Sequence, residues 1–438
     1  MFHFTIFGQV NPTSQNWIKN NSYDISLDDT VNYKDLSFLR QVLKDKRIVF
    51  LGENAHGVSE FTTMKARLIR YLHEELGFDV LAFESNLADA YAANLLIKDS
   101  DVLTSIHNSI SLLWHVEEIV PLFNYIKKTH STTNPINVAG VDLNLCNASY
   151  SFAHLLYNLI FPLNQSYAKE VYKNDSIYVR VGVRRWLSIA DKEEIDYAND
   201  LNKKQPEFYS RVINFIDTNR DKFPEDKKTY LDDIRFCLQT RMDFSDWRKN
   251  DSSFMAEKLP LKGKSWDNNK LWNRYRDYMM TRYLKYLTEK MYPTKKIIVW
   301  AENSHVSKTI YRMPSDTSYS QSVYTIGLYS YSGEGASWPE FVGTEHINKI
   351  YTFETPVDTN SIENILHQSR YENTFVNMQQ QIKSNGNSWM FETVKCSGWD
   401  GSNPGEVTYI KNSWDGLLLI NKISPPKYLK YKYEFLRK

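Results

Sequence analysis

Four short apolar runs, each closed by an acidic residue, set the pattern of this chain. Ile48-Val49-Phe50-Leu51 leads into Gly52-Glu53-Asn54-Ala55-His56-Gly57, and Asp79-Val80-Leu81-Ala82-Phe83 leads into Glu84-Ser85. Ile136-Asn137-Val138-Ala139-Gly140-Val141 ends in Asp142, and Ile297-Ile298-Val299-Trp300-Ala301 ends in Glu302-Asn303-Ser304-His305. Near-continuous apolar runs bounded by polar residues are the mark of parallel strands buried on both faces. Tyr324–Leu328 and Leu417–Ile420 read as further strands. Between the first two runs, Phe61, Met64, Leu68, Leu72 and Leu76 form a helical stripe, with Ser59 as its expected N-cap.

The pattern changes from about residue 150 to 290. Strand-like runs vanish there, and Tyr230–Leu238 and Tyr283–Leu287 read as helical, separated by breaks near Pro224 and Pro260. The expected fold class is therefore α/β, a mostly parallel central sheet flanked by helices. Residues 1–30 form a polar lead-in, 31–150 the first half of the core and 291–438 the second half. Residues 151–290 form a helical insertion that serves as a lid or cleft wall.

Parallel strands place all their C-terminal ends on one rim, where ligands bind in open α/β sheets. If the four runs share a sheet, Glu53, His56, Glu84, Asp142, Glu302 and His305 converge on that rim. Each alone could be a cap or a surface turn; together they read as a site. The glycines on either side of the Glu53–His56 turn let the backbone bend and pack closely.

Composition narrows the function. Among 438 residues, 53 basic against 52 acidic side chains leave a net charge of +1, so no global field favours nucleic acid or an anionic membrane surface. No apolar run of about 18 residues is present, which excludes a membrane-spanning helix. Three cysteines, Cys146, Cys237 and Cys396, lie far apart and are expected to be buried thiols rather than a disulfide framework or a Cys-x-x-Cys metal site. The segment Met1–Gln9 lacks a basic start and is short for a leader, so the expected compartment is the cytoplasm, or outside it if a leader precedes Met1.

The chemistry the rim suits is ester hydrolysis, which needs a deprotonated water, a holder for the oxyanion and a proton for the leaving alkoxide. His56 is the expected general base, because an imidazole titrates near neutrality. Glu53 or Glu84 would hold its other ring nitrogen, as a carboxylate does in a catalytic triad. His305 would polarise the carbonyl or protonate the leaving oxygen. Lys65 and Arg276 form a candidate cationic clamp on the substrate, with Glu302, His115 and Asp142 completing the expected lining. Arg276-Asp277 also fits a plain ion pair on a helix. The chain lacks a Gly-x-Ser-x-Gly elbow, which argues against a serine nucleophile. Two histidines among several carboxylates also make a plausible divalent-metal site, the main rival mechanism, although the His-Glu-x-x-His spacing is absent.

The Gly52-Glu53-x-x-His56-Gly57 turn, the helix after it, Gly77-Phe78…Phe83-Glu84, Trp114, Glu118 and Gly140-Val141-Asp142 resemble the erythromycin esterase family. The resemblance resumes at Arg276-Asp277-x-x-Met280, Trp300-Ala301-x-Asn303-x-His305-Val306 and Gly327, and closes at Trp414-Asp415-Gly416-Leu417-Leu418 and Ser424-Pro425. It spans roughly residues 36 to 430 and is weakest between 150 and 265. It implies a metal-independent, cofactor-free hydrolase that opens the lactone of a macrolide antibiotic such as erythromycin and so confers resistance. A polysaccharide-related member with the same fold is the non-esterase alternative. Two positions depart from the family pattern: Lys65 stands where many members have Arg, and Glu302 where macrolide-active members often have His.

Overall fold

The structure, a computed structural model, describes residues 12–28, 32–249, 268–309, 321–337, 340–342, 345–347, 349–353, 360–397, 406–431 and 433. Pro260 and the segment Met1–Gln9 lie outside the described residues. The strands in chain order are β1 (Ser22–Asp24), β2 (Ile48–Leu51), β3 (Phe78–Asn86), β4 (Asn137–Asp142), β5 (Lys296–Trp300) and β6 (Val323–Ala336). They continue with β7 (Glu340–Val342), β8 (Glu345–Ile347), β9 (Ile350–Phe353), β10 (Asn373–Asn377), β11 (Thr393–Cys396), β12 (Glu406–Tyr409) and β13 (Gly416–Ile423).

All six apolar runs become neighbouring parallel strands, in the order β13-β6-β2-β5-β3-β4. Alternation along β2 shows both faces covered: Ile48 and Phe50 join one core layer, Val49 and Leu51 the other. Three antiparallel additions complete the mixed sheet: β10 beside β13, β1 beside β10, and β9 on the far end of β6. The pairs β7–β8 and β11–β12 stand as separate hairpins.

Register decides what meets at the rim. Leu51 and Phe83 both lie level with Trp300, and Asn86 lies level with Asp142. The residues just past these positions therefore share one edge of the sheet. The first helix runs Ser59–Leu76, as the stripe predicts, but Ser59 is not its cap. Val58 occupies that position without a side-chain bond, and the Ser59 amide donates to Ser424 O at 2.9 Å. A distant strand end satisfies the helix start, so no polar cap is required.

Helices Ser151–Ile160, Gln165–Trp186, Lys192–Thr218, Leu231–Arg248 and Asn268–Tyr286 cover one face of the sheet. Fully buried Arg241 binds Asp89 at 2.7 Å, Asp175 at 3.2 Å and Asn86 Oδ1 at 3.0 Å. It thereby ties two of these helices to the end of β3. All three cysteines are buried, free thiols. No helix among the described residues is long and apolar enough to cross a membrane.

Candidate active site

The turn after β2 is held open by its two glycines. A Cβ on Gly52 would lie 2.0 Å from Asn303 Oδ1, and one on Gly57, whose φ is +68°, would lie 2.1 Å from Ala336 O. The close approach lets the Asn303 amide donate to Glu53 O at 2.7 Å, joining the β2 and β5 turns. Glu53 and His56 are buried in this crease and face the β5 turn directly.

Each polar atom of the Glu53–His56 pair has a partner. His56 Nδ1 lies 2.8 Å from Glu53 Oε1, which also accepts from Trp114 Nε1 at 3.1 Å. Glu53 Oε2 accepts from Lys65 Nζ at 2.6 Å. His56 Nε2 lies 2.9 Å from Glu302 Oε1, and the Tyr351 hydroxyl donates to the His56 carbonyl at 2.7 Å. Burial alone would keep His56 neutral, but Glu302 and then Glu53 lift its pKa well above the ordinary value. The resting ring is therefore an imidazolium between two carboxylates. Burial would likewise raise Glu53 and Glu302. Lys65 and His56 hold Glu53 below its ordinary value, while His56 and His305 hold Glu302 far below.

A second group forms over β3 and β4. Arg276, on the helix Asn268–Tyr286, donates from Nη2 to Glu84 Oε1 at 2.7 Å and to Asp142 Oδ2 at 2.5 Å. Asp142 is lowered, Arg276 outweighing its burial. His305 Nδ1 lies 2.7 Å from Asp277 Oδ1, while Nε2 faces Arg276 Nη1 at 2.9 Å and Glu84 Oε1 at 3.3 Å. A neutral His305 donates a hydrogen bond from Nδ1–H to Asp277 and accepts one from Arg276 at Nε2. The charged ring gives a second proton toward Glu84, which entails a small shift away from Arg276. Burial opposes that charge, but Glu84 and Asp277 prevail over it and over Arg276, lifting His305 to about 9. The Glu302 amide donates to Glu84 Oε2 at 3.0 Å and stitches the two groups together.

Glu53, His56, Glu84, Asp142, Glu302, His305 and Arg276 thus meet at one rim. Three expectations need correction. Lys65 is fully buried beneath Glu53, with Nζ 4.7 Å from the Trp300 ring centroid, so it supports Glu53 and presents no clamp to a substrate. Asp142, also fully buried, is engaged by Arg276 and gives a ligand no surface. His115 turns away from the rim: its ring nitrogens meet Tyr433 Oη at 3.0 Å and Ile110 O at 3.2 Å. Its neighbour Trp114 faces the site instead. Glu302, the most open carboxylate of the cluster with 19% of its side chain exposed, pairs with His56; His305 Nε2 is 3.8 Å away. Asp277 and Tyr351 also belong here, and neither was identified as a site residue. Asp277 stands next to Arg276 in sequence, and the two hold opposite ring nitrogens of His305, Asp277 at Nδ1 and Arg276 at Nε2.

A metal is the alternative occupant. Ligand atoms of His56, Glu84 and Glu302 lie within 4.8 Å of one another. An ion there would have to displace the proton of His56 and stand beside Arg276, which already neutralises Glu84. The arrangement fits a protonated network better than a cation cage.

Residues 73–422 match the family model described as erythromycin esterase. The chain is 27% identical over 434 residues to "Putative hydrolase YbfO" of Bacillus subtilis (strain 168), covering 94% of this chain and 92% of that one. It is 29% identical over 140 residues to erythromycin esterase type II of Escherichia coli, 31% of this chain and 33% of that one. Among solved structures, a succinoglycan biosynthesis protein has a TM-score of 0.69 at 17% identity, covering 96% of this chain and 100% of that one. A mutant of erythromycin esterase EreC in its open conformation has a TM-score of 0.63 at 14% identity, covering 94% and 99%. At those identities the solved structures show the fold alone; the family match supports a hydrolase.

Proposed function

The chain belongs to the erythromycin esterase family, and from that premise we propose that it hydrolyses a carboxylic ester, the lactone of a macrolide, with water activated at His56. The observation that carries this reading is the clamp on His56, with Glu53 on one ring nitrogen and Glu302 on the other. Lys65 and Trp114 hold Glu53 in turn, so the ring has one direction, and on losing its Nε2 proton it keeps the Nδ1–H that faces Glu53, as a positioned base requires.

The resting imidazolium has no lone pair to offer. When the Glu302 carboxylate, which holds that proton at 2.9 Å, moves away, the ring loses the charge that raises it and releases its Nε2 proton to bulk water. As Glu302 swings toward solvent, a water takes its place. Neutral His56 then accepts a proton from that water while the hydroxide oxygen bonds to the ester carbonyl carbon. The Arg276 guanidinium and charged His305 stabilise the oxyanion. Collapse breaks the carbon–oxygen bond, and the leaving alkoxide takes a proton from His305. The product is a hydroxy acid, heavier than the lactone by one water.

The test is incubation of purified protein with a panel of 14- and 16-membered macrolides, followed by mass spectrometry for the gain of one water. His56→Asn serves as control and should lower the rate by about two to four orders of magnitude. A variant retaining more than a tenth of the activity would remove His56 from this role. If every macrolide remains intact while a simpler ester is cleaved in a His56-dependent way, the hydrolase reading stands and the macrolide does not.

A further inference from the structure

Two arginines outside the active-site cluster face one small recess that has no acid in its wall among the described residues. Arg185 lies in the last turn of helix Gln165–Trp186, and Arg248 in the last turn of helix Leu231–Arg248. The other walls include Tyr178, Ala198, Asn202 and Phe244, and the recess encloses about 10 Å³, room for one water-sized species. We propose that this recess binds one small monovalent inorganic anion of halide size, held between the Arg185 and Arg248 guanidinium groups.

Among the described residues, Asp246 is engaged by Lys249 at 2.8 Å and Glu194 by Arg184 at 2.7 Å. Among the described residues, Arg185 donates only to a neutral amide, Asn199 Oδ1, at 2.8 Å. Arg248 lies 5.7 Å from the centroid of the Trp247 ring and has no carboxylate partner among the described residues. Burial pulls both groups down, Arg248 to about 10 with Arg185 adding to the effect.

An arginine in the last turn of a helix is ordinary, since the C-terminal end carries about half a negative charge. Two such ends offset about half of two guanidinium charges and leave roughly one positive charge in a recess screened from water. One halide closes that balance. Tyr178 Oη donates to Asn202 Oδ1 at 2.9 Å, which leaves the Asn202 amide nitrogen as a further donor at the wall. The site also touches the active-site scaffold. Trp247, beside Arg248, stacks at 4.0 Å on Trp272 of the helix that carries Arg276 and Asp277.

The experiment melts the full chain at constant ionic strength while sodium chloride replaces sodium gluconate, whose anion is too large to enter. The expected result is a saturable rise in Tm of about 2–4 °C for wild type. Arg248→Met and Arg185→Met should each lose the rise and, relieved of a buried like charge, melt no lower than wild type in gluconate. Bromide-soaked crystals of the wild type should show an anomalous peak between the two guanidinium groups, a reading that stands even if a variant fails to fold. An equal chloride response in wild type and both variants, or bromide density absent from the recess, overturns the proposal.

Discussion

Exchange of Lys65 for methionine keeps an unbranched apolar stem over Trp300 and removes the ammonium 2.6 Å from Glu53 Oε2. Both partners are buried, so Glu53, still held at Oε1 by His56 and Trp114, loses its Oε2 partner without gaining access to water. Removing one member of a buried pair costs about 3–5 kcal/mol, because the remaining charge stays desolvated. Glu53 can escape part of that cost by taking a proton, since Lys65 is the leading influence against its burial. A protonated Glu53 can no longer hold the His56 imidazolium, so activity falls with stability. Urea unfolding followed by circular dichroism measures the first effect, and kcat/KM on any hydrolysed ester the second. Lys65→Met with Glu53→Gln separates them. With the buried charge gone as well, the double variant should regain most of the lost stability and none of the activity. Lys65→Arg, the more usual family residue, should keep much of both, limited by the room beside Trp300. A Lys65→Met variant less than about 1 kcal/mol weaker than wild type, or a double variant no more stable than the single, would refute the reasoning.

Glu302→Gln removes the largest influence that raises His56. Since the base must be neutral, the acidic limb of the kcat/KM profile should move to lower pH; a limb that stays in place would mean Glu302 does not control His56. His305 is raised from 6.5 to about 9, so its contribution to stability is full below about 6.5 and lost as pH climbs through about 9. His305→Gln should therefore flatten the fall in stability across that window, and an unchanged fall would assign it to other groups. Exhaustive chelation should leave hydrolysis unchanged, with elemental analysis showing no stoichiometric metal. Activity lost on chelation and restored by zinc or manganese would make His56, Glu84 and Glu302 ligands.

Much of the core was readable along the chain because a parallel strand buried on both faces must be apolar almost throughout. Six such runs became six adjacent strands. The acids and histidines that close them reached one rim because parallel strands align their ends. Antiparallel β1, β9 and β10 were not recognised. β1 and β9 are short, partly exposed elements, while β10 is buried between β1 and β13, and the pairing of each depends on a neighbour outside its own stretch of sequence. Local pattern carries no such information.

The partners within the site were decided only by the tertiary structure. Lys65 and Asp142 look like ligand-facing charges in sequence, yet the fold encloses both completely. Glu302 was expected as part of the substrate lining, but register sets β5 beside β2, so the carboxylate reaches His56 across the strand boundary. Trp114 faces Glu53 while His115, the next residue, points into a cluster with Tyr433. Residue type and strand-end position are local properties, and the chain states them openly. Which charge neutralises which depends on ångström distances between segments up to hundreds of residues apart, and those exist only once the sheet and the helices over it are packed.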